Sequence, residues 1–468
     1  MAASYQGDDA FREFALHANL WRVLWKVCLP LSLYAVLNFV FKILDTMMAS
    51  HISAASVSTV AYLSQISTTL SALGAGLAVG AGVQISKAYG AGDYELVKAR
   101  VSTLFCFCGG LGILLLLIFQ PLAAPFLRLA QTPQDLMDLA VTYFRIELGS
   151  IVIQFFNNIY IAVERCRGNT RRIFLLNLAV VLVKLSLTAF FVYAMEGTIN
   201  HIAVATLLSN CIILVMGLFQ LFRKGSAFRV SFRKVSPRKP VLGVILNTSY
   251  PVVAEKLFFS LGKLIVNAMA AVYGSLTVGA ISISGNINGL TVGLQNGCQE
   301  GSSSIISQNL GACQVPRAVE TYRKVLLVNI IIGAVFSVVT LIFLDPIIML
   351  FADADEGFAE LIAMVYRYEV LTAVFLGINS ASMAFLYGAG YTKIAFLINF
   401  ARLFLFRVPL LWFLQNFTAI GQESVGIVIL TSNILVAACA LTAAVLVARR
   451  LMLQEGLTFW GRPRGNRV

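Results

Sequence analysis

The sequence predicts an all-α membrane protein of twelve transmembrane helices arranged as two similar six-helix units. Three observations carry that expectation. Hydrophobic residues make up 59% of the 468 positions and charged ones only 12%, about half of what a soluble domain needs to cover itself. The apolar runs suit helices of about 20 residues, with none of the strict alternation that barrel strands of about 10 residues require. The third observation is an internal repeat. Shifted by 221 positions without a gap, Pro30 falls on Pro251, Lys42 on Lys263, Met48 on Met269, Gly76 on Gly297, Gly80 on Gly301 and Ser86 on Ser307. With a shift of 222, Arg145 and Glu147 meet Arg367 and Glu369, Gly168 and Thr170 meet Gly390 and Thr392, and Asn177 meets Asn399.

The first 21 residues are polar and lack a short apolar core with a small-residue cleavage site, so they are expected to be a cytoplasmic segment, with the first span as anchor. Six apolar runs follow in a first lobe (22–222), at 22–48, 54–86, 100–120, 137–164, 172–194 and 200–222. A cytoplasmic linker, 223–242, leads to a second lobe (243–448) with runs at 243–273, 277–308, 321–343, 360–388, 394–415 and 424–448. Residues 449–468 form a cytoplasmic tail. Several runs exceed the bilayer minimum, which implies tilted or bent helices.

Charge sets the orientation. Connections after even-numbered spans are basic, as in Lys87, Lys98 and Arg100, then Arg165, Arg167, Arg171 and Arg172, then seven Lys and Arg residues between 223 and 239. The opposite loops hold Asp135, Asp138, Glu196, Asp345, Asp353, Asp355, Glu356 and Glu423. Both termini are therefore expected in the cytoplasm of a bacterial inner (plasma) membrane, and the net charge of +13 reflects this bias. Because the bases are spread over short loops, no nucleic-acid partner is expected. For the 223–242 linker, contact with anionic lipid is one reading, and a solvated connector fits the composition better.

Other chemistries find little support. The eight cysteines lie in or beside apolar runs without paired spacing, and the three histidines, His17, His51 and His201, share no span, so no metal site is expected. "GAGLAVGAG" (74–82) lacks the Gly-Lys-Ser/Thr of a phosphate loop; Gly76 and Gly80, one turn apart, fit a close helix contact instead. With no nucleotide motif, transport would draw on gradients. An even number of spans per unit gives both copies one orientation, around an axis along the membrane normal with a cavity between lobes, which is a transporter plan.

Pro30 followed by "ILDTMMASHIS", "SKAYGAGD" (86–93), "YFRIELG" (143–149), "RCRGNTR" (165–171), "SQNLGA" (307–312), "YGAGYTK" (387–393) and "FRVPLLWFL" (406–414) resemble the MATE family, the multidrug and toxic compound extrusion exporters. The resemblance covers all twelve spans. It implies a V-shaped pair of six-helix bundles and export of organic cations and amphipathic drugs in exchange for protons or sodium ions. One branch of the family pairs an aspartate on span one with an Asn-x-x-x-Asp-Pro pattern on span five. Asp45 matches the first element, but Lys184 and Thr188 stand at the asparagine and aspartate of the second. Another branch uses a glutamate on span seven about two turns after its proline. Here Glu255 comes one turn after Pro251, and Phe259 takes the expected place.

Intramembrane charges are costly and usually face a partner or a wet cavity. Lys42 and Asp45 share one helix face. Lys42 alone could snorkel to the outer surface; its repeat at Lys263, and Lys184 on the fifth span, which neighbours the first in the resembling fold, favour an Asp45–Lys42–Lys184 cluster with Thr188 beside it. Such a cluster is either a coupling device or a static ion pair, and it disfavours sodium there. Proton coupling would then fall to a lysine or to Glu255 and Glu300. In the second lobe, Glu255, Lys256, Lys263, Asn286, Gln295, Gln299 and Glu300 are expected to line a wet cavity, with helix–helix bonding as the alternative for span eight. The duplicated Arg145-x-Glu147 and Arg367-x-Glu369 read as pairing at helix ends.

These readings converge on a secondary active exporter of small organic compounds working by alternating access. It is expected to be coupled to H+ rather than Na+, to need no cofactor, and to meet only its small-molecule cargo and membrane lipid, as a monomer. A flippase or exporter for anionic or lipid-linked saccharide substrates is the rival reading. A membrane-embedded enzyme has less support, because no catalytic cluster is visible.

Overall fold

Helices account for nearly every described residue of the computed structural model, which covers residues 6–50, 54–129, 132, 137–195, 197–352 and 356–459; for 6–8, 39–50, 54–62, 65, 275 and 350–352 it describes the backbone alone. The first repeat unit contains α1 (Gln6–His17), α2 (Leu20–Ser50), α3 (Ala54–Gly90), α4 (Tyr94–Phe119), α5 (Ala123–Leu129), α6 (Met137–Cys166), α7 (Thr170–Ala189) and α8 (Ile199–Phe222). The second contains α9 (Val244–Ala270), α10 (Ser275–Gly311), α11 (Val315–Ile342), α12 (Leu344–Ala352), α13 (Glu356–Gly388), α14 (Thr392–Ala401), α15 (Val408–Phe417) and α16 (Glu423–Gln454).

Among the described residues, ten stretches are long and apolar enough to cross a membrane, the eleventh expected span being Thr392–Phe417 across α14 and α15. The remaining two expected spans are α9 and α10. Their hydropathy is lowered by Glu255, Lys256 and Lys263 on one and by a run of Asn, Gln and Glu on the other. At 27 and 37 residues they are nonetheless long: about 40 and 55 Å, against a hydrocarbon core of about 30 Å. All twelve expected spans are thus present as helices, and the chain is a multi-pass membrane protein.

The repeat reaches features with no obvious sequence mark. A short helix follows the third span of each copy, α5 beginning at Ala123 and α12 at Leu344, which is the 221-residue shift again. The fifth span of each copy contains a π-helical turn, Phe190–Ala194 in one and Arg402–Arg407 in the other. Left-handed backbone recurs too. Gly92 has φ +76° in the turn before α4, and its repeat equivalent before α11 is Cys313, held at φ 59°, where a side chain is strained.

The chain forms two compact units, and they do not divide at the linker. One comprises Met1–His17 with Val36–Val253, the other Ala18–Ala35 with Ala254–Val468. The opening halves of α2 and α9 are therefore exchanged. The duplicated glycines explain this. A Cβ on Gly80 of α3 would lie 2.4 Å from the Ser249 Cα of α9, and one on Gly297 of α10 would lie 2.3 Å from the Ser32 Cα of α2. Only a missing side chain lets backbones approach so closely. Pro30 and Pro251, each inside its helix, remove a backbone donor shortly before the point of exchange, where a helix is easiest to bend.

In the first unit, the core below α8 gathers Tyr89, Val101, Leu104, Tyr160 and Ile245. The linker joins it. Ala227, Phe228 and Val230 are buried, and backbone amides of Ser231 and Ser236 donate to Ser102 Oγ and Thr103 Oγ1 of α4 at 2.9 and 3.0 Å. Instead of a free solvated connector, residues 226–236 are a strap pinned to α4, with Ala227, Phe228 and Val230 buried and Arg233 and Lys234 exposed. At the same end, fully buried Glu164 accepts from Arg167, Asn169 and Arg172 at 3.0, 3.0 and 3.3 Å, fastening the turn between α6 and α7. In the second unit the core collects residues of α9, α10, α13, α15 and α16.

Candidate functional site

The first-unit cluster is described only in part. Lys42 and Asp45 lie on α2, but their side chains fall outside the described residues, so their placement relative to Lys184 is outside the description as well. Lys184 and Thr188 stand one turn apart on α7 and are both buried, at 5% and 1% exposure. Thr188 Oγ1 has no hydrogen-bond partner among the described residues. His201 is spent on structure, its Nδ1 accepting from the Thr198 amide at the start of α8 at 3.1 Å.

In the second unit the surroundings of Glu255 and Glu369 are described. Glu255 sits on α9, about 16 Å along the helix from Val244. Its carboxylate accepts from Tyr387 Oη at 2.7 and 2.6 Å and from Asn399 Nδ2 at 2.8 Å. Tyr387 ends α13 and Asn399 lies on α14, so three helices meet at one carboxylate. The donors are neutral, and among the described residues Glu255 forms no ion pair within 4.0 Å. Neighbouring Lys256 is part-buried and turned to another side, as adjacent helical positions must be.

Glu369, on α13, forms a second acidic site. It accepts from Ser284 Oγ and, at 3.3 Å, from Asn288 Nδ2, both on α10. The expected pairing with Arg367 is not formed: Arg367 is exposed, and residues two apart on a helix do not face each other. The polar positions of α10 divide by face. Gln295 Nε2 donates to the Ala373 carbonyl at 2.8 Å and to the Asn329 carbonyl at 3.4 Å, and Gln299 Oε1 accepts from Ser380 Oγ at 3.1 Å. Those two, with Asn288, bridge helices. Asn286 is exposed and Glu300 part-buried.

Beyond Glu369, the π-helical turn aims two arginines at α16. Arg402 Nη2 donates to Asn433 Oδ1 at 2.7 Å, and Arg407 donates to the same oxygen at 3.3 Å and to Ser432 Oγ at 3.1 Å. Lys263 Nζ and Arg402 Cζ both lie over the ring of Phe259, at 5.7 and 5.6 Å from its centroid, within cation–π reach. Phe259 is the residue at the resembling family's glutamate position, and here it receives cations. Tyr387, Asn399 and Asn433 were invisible to sequence reasoning as site residues. The repeat places Asn399 opposite Asn177, which is buried and donates to its own helix at 2.8 Å, so the pairing alone does not mark a site.

Comparison with known proteins bears on this geometry. The MatE family model matches residues 30–190 and 251–413. A probable multidrug resistance protein YoeA of Bacillus subtilis is 23% identical over 72% of this chain and 75% of its own length. The probable multidrug resistance protein NorM of Thermotoga maritima is 21% identical over 85% and 86%. The multidrug export protein MepA of Staphylococcus haemolyticus is 21% identical over 82% and 85%. Among solved structures, a MATE protein in complex with MaL6 superposes with a TM-score of 0.89 at 20% identity, over 94% of this chain and 98% of that one. An outward-facing multidrug resistance MATE transporter of the MOP superfamily gives 0.88, also at 20%, over 93% and 98%.

Proposed function

This chain belongs to the MatE family, and from that premise we propose that it is a secondary active exporter of small organic compounds, working by alternating access and driven by exchange with protons. The curated relatives are named as multidrug resistance and export proteins, and their cargo class is the one carried over. The protein is a transporter and not an enzyme, needs no cofactor, and sits as a monomer in a bacterial inner membrane with both termini cytoplasmic. Its partners are the cargo and the surrounding lipid.

Glu255 carries the coupling part of the reading. Among the described residues the Glu255 carboxylate takes hydrogen bonds only from neutral donors, Tyr387 and Asn399, so it can gain a proton and release them without breaking a contact ion pair. A contact ion pair cannot do this as readily, because its partner would be stranded. The donors come from α13 and α14, so a change of charge at Glu255 is felt by both helices.

The test is export of ethidium from proteoliposomes under an imposed gradient of either protons or sodium ions. Export driven by the proton gradient and lost in Glu255→Gln supports the reading. Export that follows the sodium gradient, or a proton-driven export unchanged in Glu255→Gln, contradicts it.

A further inference from the structure

The guanidinium groups of Arg402 and Arg407 sit within the membrane part of the second unit with too little negative charge around them. Arg407 is buried, and its bonds go to Ser432 and Asn433; among the described residues Arg402 bonds only to Asn433. All these acceptors are neutral. Arg402 Nε is buried with no hydrogen-bond partner among the described residues. Glu369 is close enough to feel Arg407 and Lys263 electrostatically, yet its hydrogen bonds come from Ser284 and Asn288, and it forms no ion pair within 4.0 Å with either arginine. Among the described residues the two arginines thus share one acid that is occupied elsewhere.

This arrangement is built by the backbone. On an α-helix, residues five apart point about 140° from each other. The π-helical turn Arg402–Arg407 widens the helix by one residue per turn, which swings Arg407 back to the side of Arg402 and lets both reach one oxygen of Asn433. Turns of this kind are frequent at functional sites. Converging two like charges in a medium of low dielectric is unfavourable unless an anion joins them. The cluster is also graded in access: Lys263 is exposed, Arg402 part-buried and Arg407 buried. The aromatic face of Phe259 lies under the first two. An incoming anion would meet the exposed cation first and the buried guanidinium last.

We propose that Lys263, Arg402 and Arg407 form a binding site for the acidic group of an organic anion, a carboxylate, sulfonate or phosphate, with Phe259 supporting its apolar part. Guanidinium forks match such groups in geometry. The inference deepens the exporter reading and rests on it only for the claim that the anion is cargo; the site itself stands on its own geometry. The same acidic group could arrive on a soluble compound or on a lipid headgroup.

The test measures equilibrium binding of carboxyfluorescein by fluorescence anisotropy, using the full chain in phosphatidylcholine nanodiscs. Saturable binding is expected for the wild type. Arg402→Gln should weaken it about tenfold or more, the effect of losing a charge-assisted contact. Asn433→Asp is the more informative variant. It puts a carboxylate where both guanidinium groups already meet, so it should weaken carboxyfluorescein about tenfold while raising the thermal midpoint. Gel filtration and that midpoint report folding for each variant. Displacement of the dye when phosphatidylglycerol replaces part of the phosphatidylcholine assigns the site to lipid headgroups, and undiminished binding assigns it to soluble anions. Equal affinity in wild type and Asn433→Asp, or no saturable binding by the folded wild type, would overturn the proposal. Failure of an imposed gradient to drive export of either ethidium or carboxyfluorescein would overturn the exporter reading and leave the anion site intact.

Discussion

Glu255 and Glu369 show how differently two intramembrane acids of one unit are held. Glu255 is gripped by a tyrosine and an asparagine from two helices, while Glu369 is held from α10 by Ser284 and Asn288. Removing the Tyr387 hydroxyl should loosen Glu255 without adding charge. A hydrogen bond to a charged group contributes about 1.5–3 kcal/mol, so Tyr387→Phe is expected to slow proton-driven ethidium export about tenfold, with the protein still monodisperse. Cys313 gives a prediction on stability. It keeps the left-handed backbone that its repeat equivalent Gly92 adopts, at a cost of about 1–2 kcal/mol. Cys313→Gly should therefore stabilise the protein by about 1 kcal/mol in thermal unfolding. At this scale the sequence was legible in part. Glu255 stood out because an acid in an apolar run has few explanations. The partner of Glu369 did not, because the adjacent Arg367 offered a simpler pairing that helix geometry forbids.

Among the elements, the helices themselves were legible from hydropathy and the repeat from one constant shift. What composition could not convey is the exchange of the opening halves of α2 and α9, since nothing in a run of apolar residues says which neighbour it packs against. The glycines held that information once the contacts were known. Gly80 touches the backbone of α9 and Gly297 that of α2, so the small-residue pattern read as a helix contact marks the two exchange points. Gly80→Val and Gly297→Val must push backbones apart, and overpacking of this kind costs about 1–3 kcal/mol. Each is expected to lower the thermal midpoint, whereas Gly110→Ala, with nothing within 4 Å of its Cβ, should not. The π-helical turns were equally hidden, because a one-residue widening leaves hydropathy unchanged. The strap 226–236 was misread as a solvated connector because its bases dominate the composition while its few apolar residues do the packing.

For the molecule as a whole, the two copies share an architecture but not their chemistry. Lys42 and Lys263 recur at one repeat position, yet Glu255 corresponds to Tyr34 and Arg407 to Leu185 under the same shifts. The two copies thus carry different residues at these positions on a common helix plan, which is why the repeat speaks to the fold and not to the site. Orientation is open to direct measurement. Cys313 is exposed in the turn between α10 and α11, a connection expected in the cytoplasm. A membrane-impermeant maleimide should label it in inside-out vesicles and not in intact cells; labelling from outside would invert the topology. The most direct test of the central claim, that Glu255 carries the proton exchanged for cargo, is proton release by the purified protein in weakly buffered detergent solution. Adding ethidium to the wild type should release protons in proportion to binding, and Glu255→Gln should bind ethidium with no release. Equal release from both proteins, or binding by the wild type without any release, would contradict the account.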